Sequence, residues 1–223
     1  MVINEEKTKL MIFNTATSVD VMPELEISNG KVIEVVDETK LLGLIVRSDL
    51  KWHSNTKNII RKSYRRMWIL RNLKKFGAGE QELVDTYFQQ IRNIAEMACA
   101  VWNSGLTQQE IRSLERIQKT ALAVIRGESH TTYAEALCHF GLDTLEARRK
   151  KLCLKFALKA YRNPKFTSWF VLNKPEVNTR SVKTHLKQIN TRTQRFKKSP
   201  IPYLTNLLNG HLKLDAKKSE PSL

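Results

Sequence analysis

Acidic residues are scarce in this chain: 22 Asp and Glu stand against 38 Lys and Arg, leaving a net charge of +16. No stretch of about 18 consecutive apolar residues occurs, which excludes an ordinary membrane-spanning helix. The three cysteines, Cys99, Cys138 and Cys153, form no C-x-x-C pair and are odd in number. A disulfide framework and a zinc knuckle are therefore not expected, and a reducing compartment, nucleus or cytoplasm, fits best. The eight glycines are dispersed, so there is no glycine-rich phosphate loop. His53, His130, His139, His185 and His211 lack metal-ligand spacing. Ser129-His130 and Cys138-His139 are adjacent in sequence, which builds no nucleophile geometry. Two-metal nucleotidyl transfer needs converging carboxylates. Glu5-Glu6 and Asp37-Glu38 are the only adjacent acids in the strand-rich part, and neighbours on a strand point to opposite faces. No catalytic residue, metal site or cofactor is expected.

With 223 residues, 41% of them hydrophobic, there is enough chain and apolar surface for a folded core. The excess positive charge makes nucleic acid the leading partner, although an acidic membrane surface or an acidic protein answers the same charge. Residues 1 to 50 hold four strand-like runs, KLMIFN, ELEI, KVIEVV and KLLGLIV. Asn29-Gly30 between the second and third suits a type I′ turn, predicting a hairpin over 24 to 36.

From about residue 55 the period becomes helical, with Ile60, Tyr64, Met67 and Leu70 on one face. Lys57, Arg61 and Arg65 recur at four-residue spacing beside Lys62 and Arg66, and no acid falls between 55 and 75. Gly77 and Gly79 close this helix, and a second is expected over about 80 to 103 with Val84, Tyr87, Phe88, Ile91, Ala95, Ala98 and Trp102 inward. Thr107 with Glu110, Thr132 with Glu135, and Asp143 with Glu146 have capping-box spacing, and each opens a further helix. The first of these would bury Ile111, Leu114, Ile117, Ala121 and Val124; the last runs over 144 to 162 and ends at Pro164. Its basic residues Arg148, Arg149, Lys150, Lys151, Lys155, Lys159 and Arg162 surround an apolar stripe of Leu152, Phe156 and Leu158. Beyond Leu172 the pattern decays into a polar, basic segment read as extended or weakly ordered.

Taken in order, these pieces resemble the C-terminal part of reverse transcriptases from non-LTR retrotransposons. Asn4, Lys7 and Thr8 before KLMIFN look like the N-x-x-K-T segment after the polymerase aspartates. Leu42-Gly43-Leu44, Asp49-Leu50 and Trp52 are similar to the L-G-V…D…L-W segment that holds the primer grip. LERIQKTALAVIRG, Leu114 to Gly127, resembles the family's L-x-x-I-Q-x-x-A-x-R-x-I-x-G helix, with Val124 at a commonly basic position. Leu142 with TLEARRKKLCLKFALK, and then SPIPYLTNLLN, match later motifs, so the likeness runs from about residue 3 to 209.

The resemblance implies an α+β, mainly α fold: an antiparallel palm-remnant β segment at 1–52, packed on a helical thumb-and-connector domain at 53–172, then a weakly ordered basic tail at 173–223. In the family, Lys7 would flank the incoming nucleotide, where a lysine could protonate pyrophosphate. The paired catalytic aspartates lie upstream of the part represented here, so a fragment without its own active site is expected. It would keep affinity for the backbone of RNA or an RNA–DNA duplex. Lys57, Arg61, Lys62, Arg65 and Arg66 would carry the nucleic-acid contacts and Leu42, Gly43 and Leu44 the primer-grip-like turn. The competing expectation is a helical protein-interaction scaffold with incidental charge; oligomeric state is open in either case.

Overall fold

The computed structural model describes residues 4, 8–13, 25, 26, 30, 32–127, 132–173 and 185–218, with side chains to residue 213. They are mainly helical, with two small two-stranded sheets. The chain divides into two compact units, Met1–Arg61 and Lys62–Leu223. The division falls inside a helix.

In the first unit, β1 (Lys9–Leu10) pairs with β2 (Glu34–Val35) in parallel, in addition to an antiparallel pair of the kind expected. A parallel pair needs a long crossover, and residues 11 to 33 supply one. Within that crossover Glu26 and Val32 form an antiparallel bridge, and the Ile33 N–H donates to the Leu25 carbonyl at 2.8 Å. Gly30 has φ +71, while Asn29, the other half of the turn expected there, lies outside the described residues.

KLLGLIV, read as one strand, is instead a hairpin: β3 (Glu38–Leu41) and β4 (Leu44–Arg47) are antiparallel, with Leu41 opposite Leu44. Leu42 and Gly43 form the two-residue loop at φ +47 and +89, the double positive φ that type I′ turns require. Glycine meets that demand without cost, whereas leucine at positive φ is strained. Leu44 is buried, but Leu42 is 93% exposed at the tip. The Ile45 N–H then donates to Asn55 Oδ1 at 3.1 Å, tying β4 to α1 (His53–Lys75).

α1 ends where Gly77 (φ +84) lets the Ala78 N–H return to the Leu73 carbonyl at 3.0 Å. The helix expected over 80 to 103 is broken. α2 (Glu80–Thr86) passes into a π-helical turn, Tyr87–Arg92, and then α3 (Asn93–Glu96). At Ala98 (φ +49) the chain is left-handed before α4 (Cys99–Trp102) resumes. Trp102 Nε1 donates to the Met97 carbonyl at 2.9 Å, filling an acceptor freed by the break. Ala98, expected inward, is exposed; Cys99 and Trp102 are buried.

α5 (Gln108–Arg126) opens on the expected capping box: the Thr107 N–H donates to Glu110 Oε2 at 2.7 Å and the Glu110 N–H to Thr107 Oγ1 at 3.3 Å. α6 (Tyr133–His139) repeats it with Thr132 and Glu135. α7 (Leu145–Tyr161) does not use Asp143. Its N-cap is Thr144, whose Oγ1 accepts from the Ala147 N–H at 3.1 Å, and Asp143 pairs with Lys151 at 2.6 Å.

The stripe that α7 buries is Leu145, Arg149, Cys153, Ala157 and Ala160, one step around from the expected Leu152, Phe156 and Leu158. Small side chains let helices approach closely, and it is α9 (Pro200–Lys218) that packs on α7. The segment expected to be weakly ordered is thus partly helical. α8 (Gln194–Lys197) stays exposed, α9 contributes buried Leu204 and Leu208, and Leu186 is buried before them. Asn209 clamps Leu186 by accepting its N–H at 2.8 Å and donating to its carbonyl at 3.1 Å.

Candidate nucleic-acid interface

Helices α1 and α5 position the polar groups of interest. α1 buries Asn55, Thr56, Asn58, Ile59, Ser63, Met67 and Leu70; Met67 and Leu70 are as expected, and a one-position rotation puts Ile59 and Ser63 in place of Ile60 and Tyr64. The rotation leaves Tyr64 39% and Trp68 67% exposed, one turn apart on α1. Lys57 and Arg61 in the first unit, and Arg65 and Arg66 in the second, are exposed; Lys62 is half-buried.

None of these five cations meets a carboxylate among the described residues. Arg61 donates to Asn58 Oδ1 at 3.1 Å and Arg66 to Gln90 Oε1 at 2.9 Å, both neutral acceptors that hold a guanidinium without discharging it. Glu80 is the first acid after Asp49, so all of α1 is acid-free. Lys74, near its end, is spent structurally, donating to the Ile125 carbonyl at 2.9 Å at the C-terminus of α5.

Leu42, Gly43 and Leu44 come together as the hairpin tip, but Leu44 turns inward, Gly43 is half-buried and Leu42 is exposed. Below the tip, Arg47 reaches Asp49 at 3.1 Å and Glu38 at 3.4 Å. Burial alone would raise the Asp49 pKa; the Arg47 hydrogen bond, the Lys51 amide and the two cationic charges outweigh it and bring the group below its ordinary value. Thr8 donates to the Asn4 carbonyl at 2.8 Å, whereas Lys7 lies outside the described residues.

Two buried polar residues escaped the sequence reading. Gln118 on α5 accepts from the Tyr87 hydroxyl at 2.6 Å and donates to the Tyr133 hydroxyl at 3.0 Å and the Asp143 carbonyl at 2.8 Å. Tyr133 in turn donates to Glu115, whose carboxylate accepts the Leu145 and Glu146 amides at 3.0 and 3.1 Å. Glu115 and Thr144 thus satisfy the first three amides of α7, where a negative charge also meets the positive end of the helix dipole. Burial raises the pKa of Tyr87, and burial with the Glu115 hydrogen bond raises that of Tyr133, so both remain neutral donors.

Arg149 is the second. Fully buried on α7, it donates through Nε to Asn103 Oδ1 at 2.9 Å and lies 5.9 Å from the Trp102 ring, and burial lowers its pKa. Its neighbour Arg148 pairs with Glu96 at 3.2 Å, shared with Arg92 at 3.3 Å. The basic stretch of α7 is therefore one buried arginine, two ion-paired cations and a remainder in solvent.

Of the histidines paired with nucleophiles in sequence, His130 lies outside the described residues and His139 sits 3.2 Å from Glu80. Among the described residues no group of three His, Cys, Asp or Glu side chains is placed to hold a metal, and no helix is long and apolar enough to cross a membrane. No protein-family model, no curated protein and no solved structure matches this chain.

Proposed function

We propose that this chain binds the phosphate backbone of RNA or an RNA–DNA duplex through the exposed cations of α1, as a thumb-like relative of non-LTR retrotransposon reverse transcriptases, and does not itself add nucleotides. One observation carries the reading: among the described residues Lys57, Arg61, Lys62, Arg65 and Arg66 have no carboxylate partner, and their helix is acid-free. Unpaired cations at helical spacing track phosphates, and neutral tethers such as those on Arg61 and Arg66 restrict the guanidinium without neutralising it. A nuclear or cytoplasmic location, where such templates are found, goes with this activity.

The test is a gel-shift titration of a short RNA–DNA hybrid over a range of salt, with wild type and with Lys57, Arg61 and Arg65 changed together to Glu. Log affinity should fall linearly with log salt, with a slope of about 0.9 per phosphate neutralised for B-form DNA, and the variant should lose both affinity and slope. An unaltered titration would remove the basis of the proposal. It would favour a protein-interaction scaffold, for which the exposure of Trp68 and of Phe76 is the supporting observation. Primer extension with Mg²⁺ tests the second half, and product above a no-protein control would refute it.

A further inference from the structure

The second unit contains a groove of about 740 Å³ between α4, α7, the 3-10 turn Pro164–Trp169, residues 187 to 190, and α8 with the start of α9. Its volume falls within the range of ordinary ligand sites, about 300–1,000 Å³. Three aromatic rings face it: Phe156 from α7, Trp169 from the turn, and Phe196 from α8. Phe156 and Phe196 are 40% and 46% exposed, Phe156 on a helix that buries Leu145, Cys153, Ala157 and Ala160 and Phe196 as the one apolar residue of α8. Trp169 is held in place by Phe166, with ring centroids 4.7 Å apart.

The rim is positive. Among the described residues the lining includes Lys187 and no acid. Between Glu176 and Asp215 the sequence has no acid at all but carries Lys187, Arg192, Arg195, Lys197 and Lys198. Arg195 and Lys197 flank Phe196, and Lys155 and Lys159, both exposed, flank Phe156 on α7. None of these four forms an ion pair among the described residues. Ser168, Gln188 and Asn190 add uncharged side chains to the lining that both donate and accept.

We propose that this groove is a binding site for single-stranded RNA, whose unstacked bases lie against Phe156, Trp169 and Phe196 while its phosphates meet the surrounding lysines and arginines. The ligand must combine flat apolar faces with negative charge. A duplex hides its bases in the stack, and an apolar peptide or lipid chain leaves the cations unanswered; a single strand presents both features. Ser168, Gln188 and Asn190 suit base edges and the ribose 2′-hydroxyl, which selects RNA over DNA. The site shares no residue with the α1 cations and goes beyond the backbone reading, because it engages bases.

The test uses the full chain and a fluorescein-labelled oligouridylate of about ten nucleotides, followed by anisotropy. Oligothymidylate of equal length and a blunt RNA–DNA hybrid are the other arms. Because Phe156 and Phe196 are exposed, Phe156→Ala and Phe196→Ala should keep the fold, verified by circular dichroism. Each should weaken oligouridylate at least about fivefold, as expected for loss of one stacked base, and leave its salt slope unchanged. Hybrid binding should stay within about twofold, whereas the α1 Glu variant should do the reverse. A chain that fails to bind the hybrid still gives a readable oligouridylate result, so the two proposals fail separately. Wild-type oligouridylate affinity in both Phe variants would overturn the site, and oligothymidylate bound as tightly as oligouridylate would overturn the RNA assignment. Dimerisation of the wild type abolished by Phe196→Ala would show instead that a second copy covers the groove.

Discussion

Replacing Gln118 with Leu should destabilise the second unit by about 1–3 kcal/mol. The substitution keeps the side chain's approximate volume, so little of the cost comes from a cavity. It comes from orphaned partners. The Tyr87 hydroxyl is fully buried and donates only to Gln118, and the Asp143 carbonyl accepts from its amide. Leaving a buried polar group unsatisfied costs about 1–3 kcal/mol; the Tyr87 hydroxyl is one such group, whereas the carbonyl of exposed Asp143 can turn to water. The Tyr133 hydroxyl is spared because it still donates to Glu115. Urea unfolding followed by far-ultraviolet circular dichroism reads the loss as a lower midpoint at unchanged slope. Tyr87→Phe supplies the check: with that hydroxyl absent, Gln118→Leu has one orphan fewer, so the double variant should be more stable than the sum of the singles by about 1 kcal/mol or more. A loss below about 1 kcal/mol in the single variant, or strict additivity in the pair, would refute the assignment of Gln118 as a shared hydrogen-bond centre.

Leu42→Asn should stabilise the β3–β4 hairpin by about 1 kcal/mol, because Leu42 holds φ +47 with its side chain 93% exposed and asparagine tolerates that conformation; unchanged amide exchange across residues 38 to 47 would contradict this. The lowered pKa of Asp49 means that its pairing with Arg47 contributes stability above the unfolded value, about 3.9, and that this contribution is lost as pH falls through the folded value below it. Amide exchange at the hairpin should therefore rise below about pH 4, and Asp49→Asn should abolish that rise. The charge reversal on α1 should flatten the salt dependence of hybrid binding, and the two phenylalanine variants should weaken oligouridylate alone, each measured as described above.

How much could be read before folding differs sharply between elements. Thr107 with Glu110 and Thr132 with Glu135 announced α5 and α6, because a capping box involves residues three apart and needs no distant partner. The α1 cations were legible for the same reason: spacing on a helix follows from its period alone. Met67 and Leu70 of α1 are buried as expected, but the first half of that stripe and the stripe of α7 were read one position off, since polar or small residues, Ser63, Cys153, Ala157 and Ala160, occupy the true core face. Apolar periodicity finds large side chains, and close helix packing selects small ones.

Local chemistry, then, settled that the chain is mainly helical, basic and capped where Thr and Glu stand three apart. Contacts between residues distant in sequence settled the rest. Gln118 meets Tyr87 and Asp143, 31 and 25 residues away, and Arg149 meets Asn103 across 46. The break at Ala98, the order of α9 on α7 and the aromatic groove have the same origin. Burying a polar or strained group is tolerable only when a remote partner satisfies it, and no window of one sequence contains that partner.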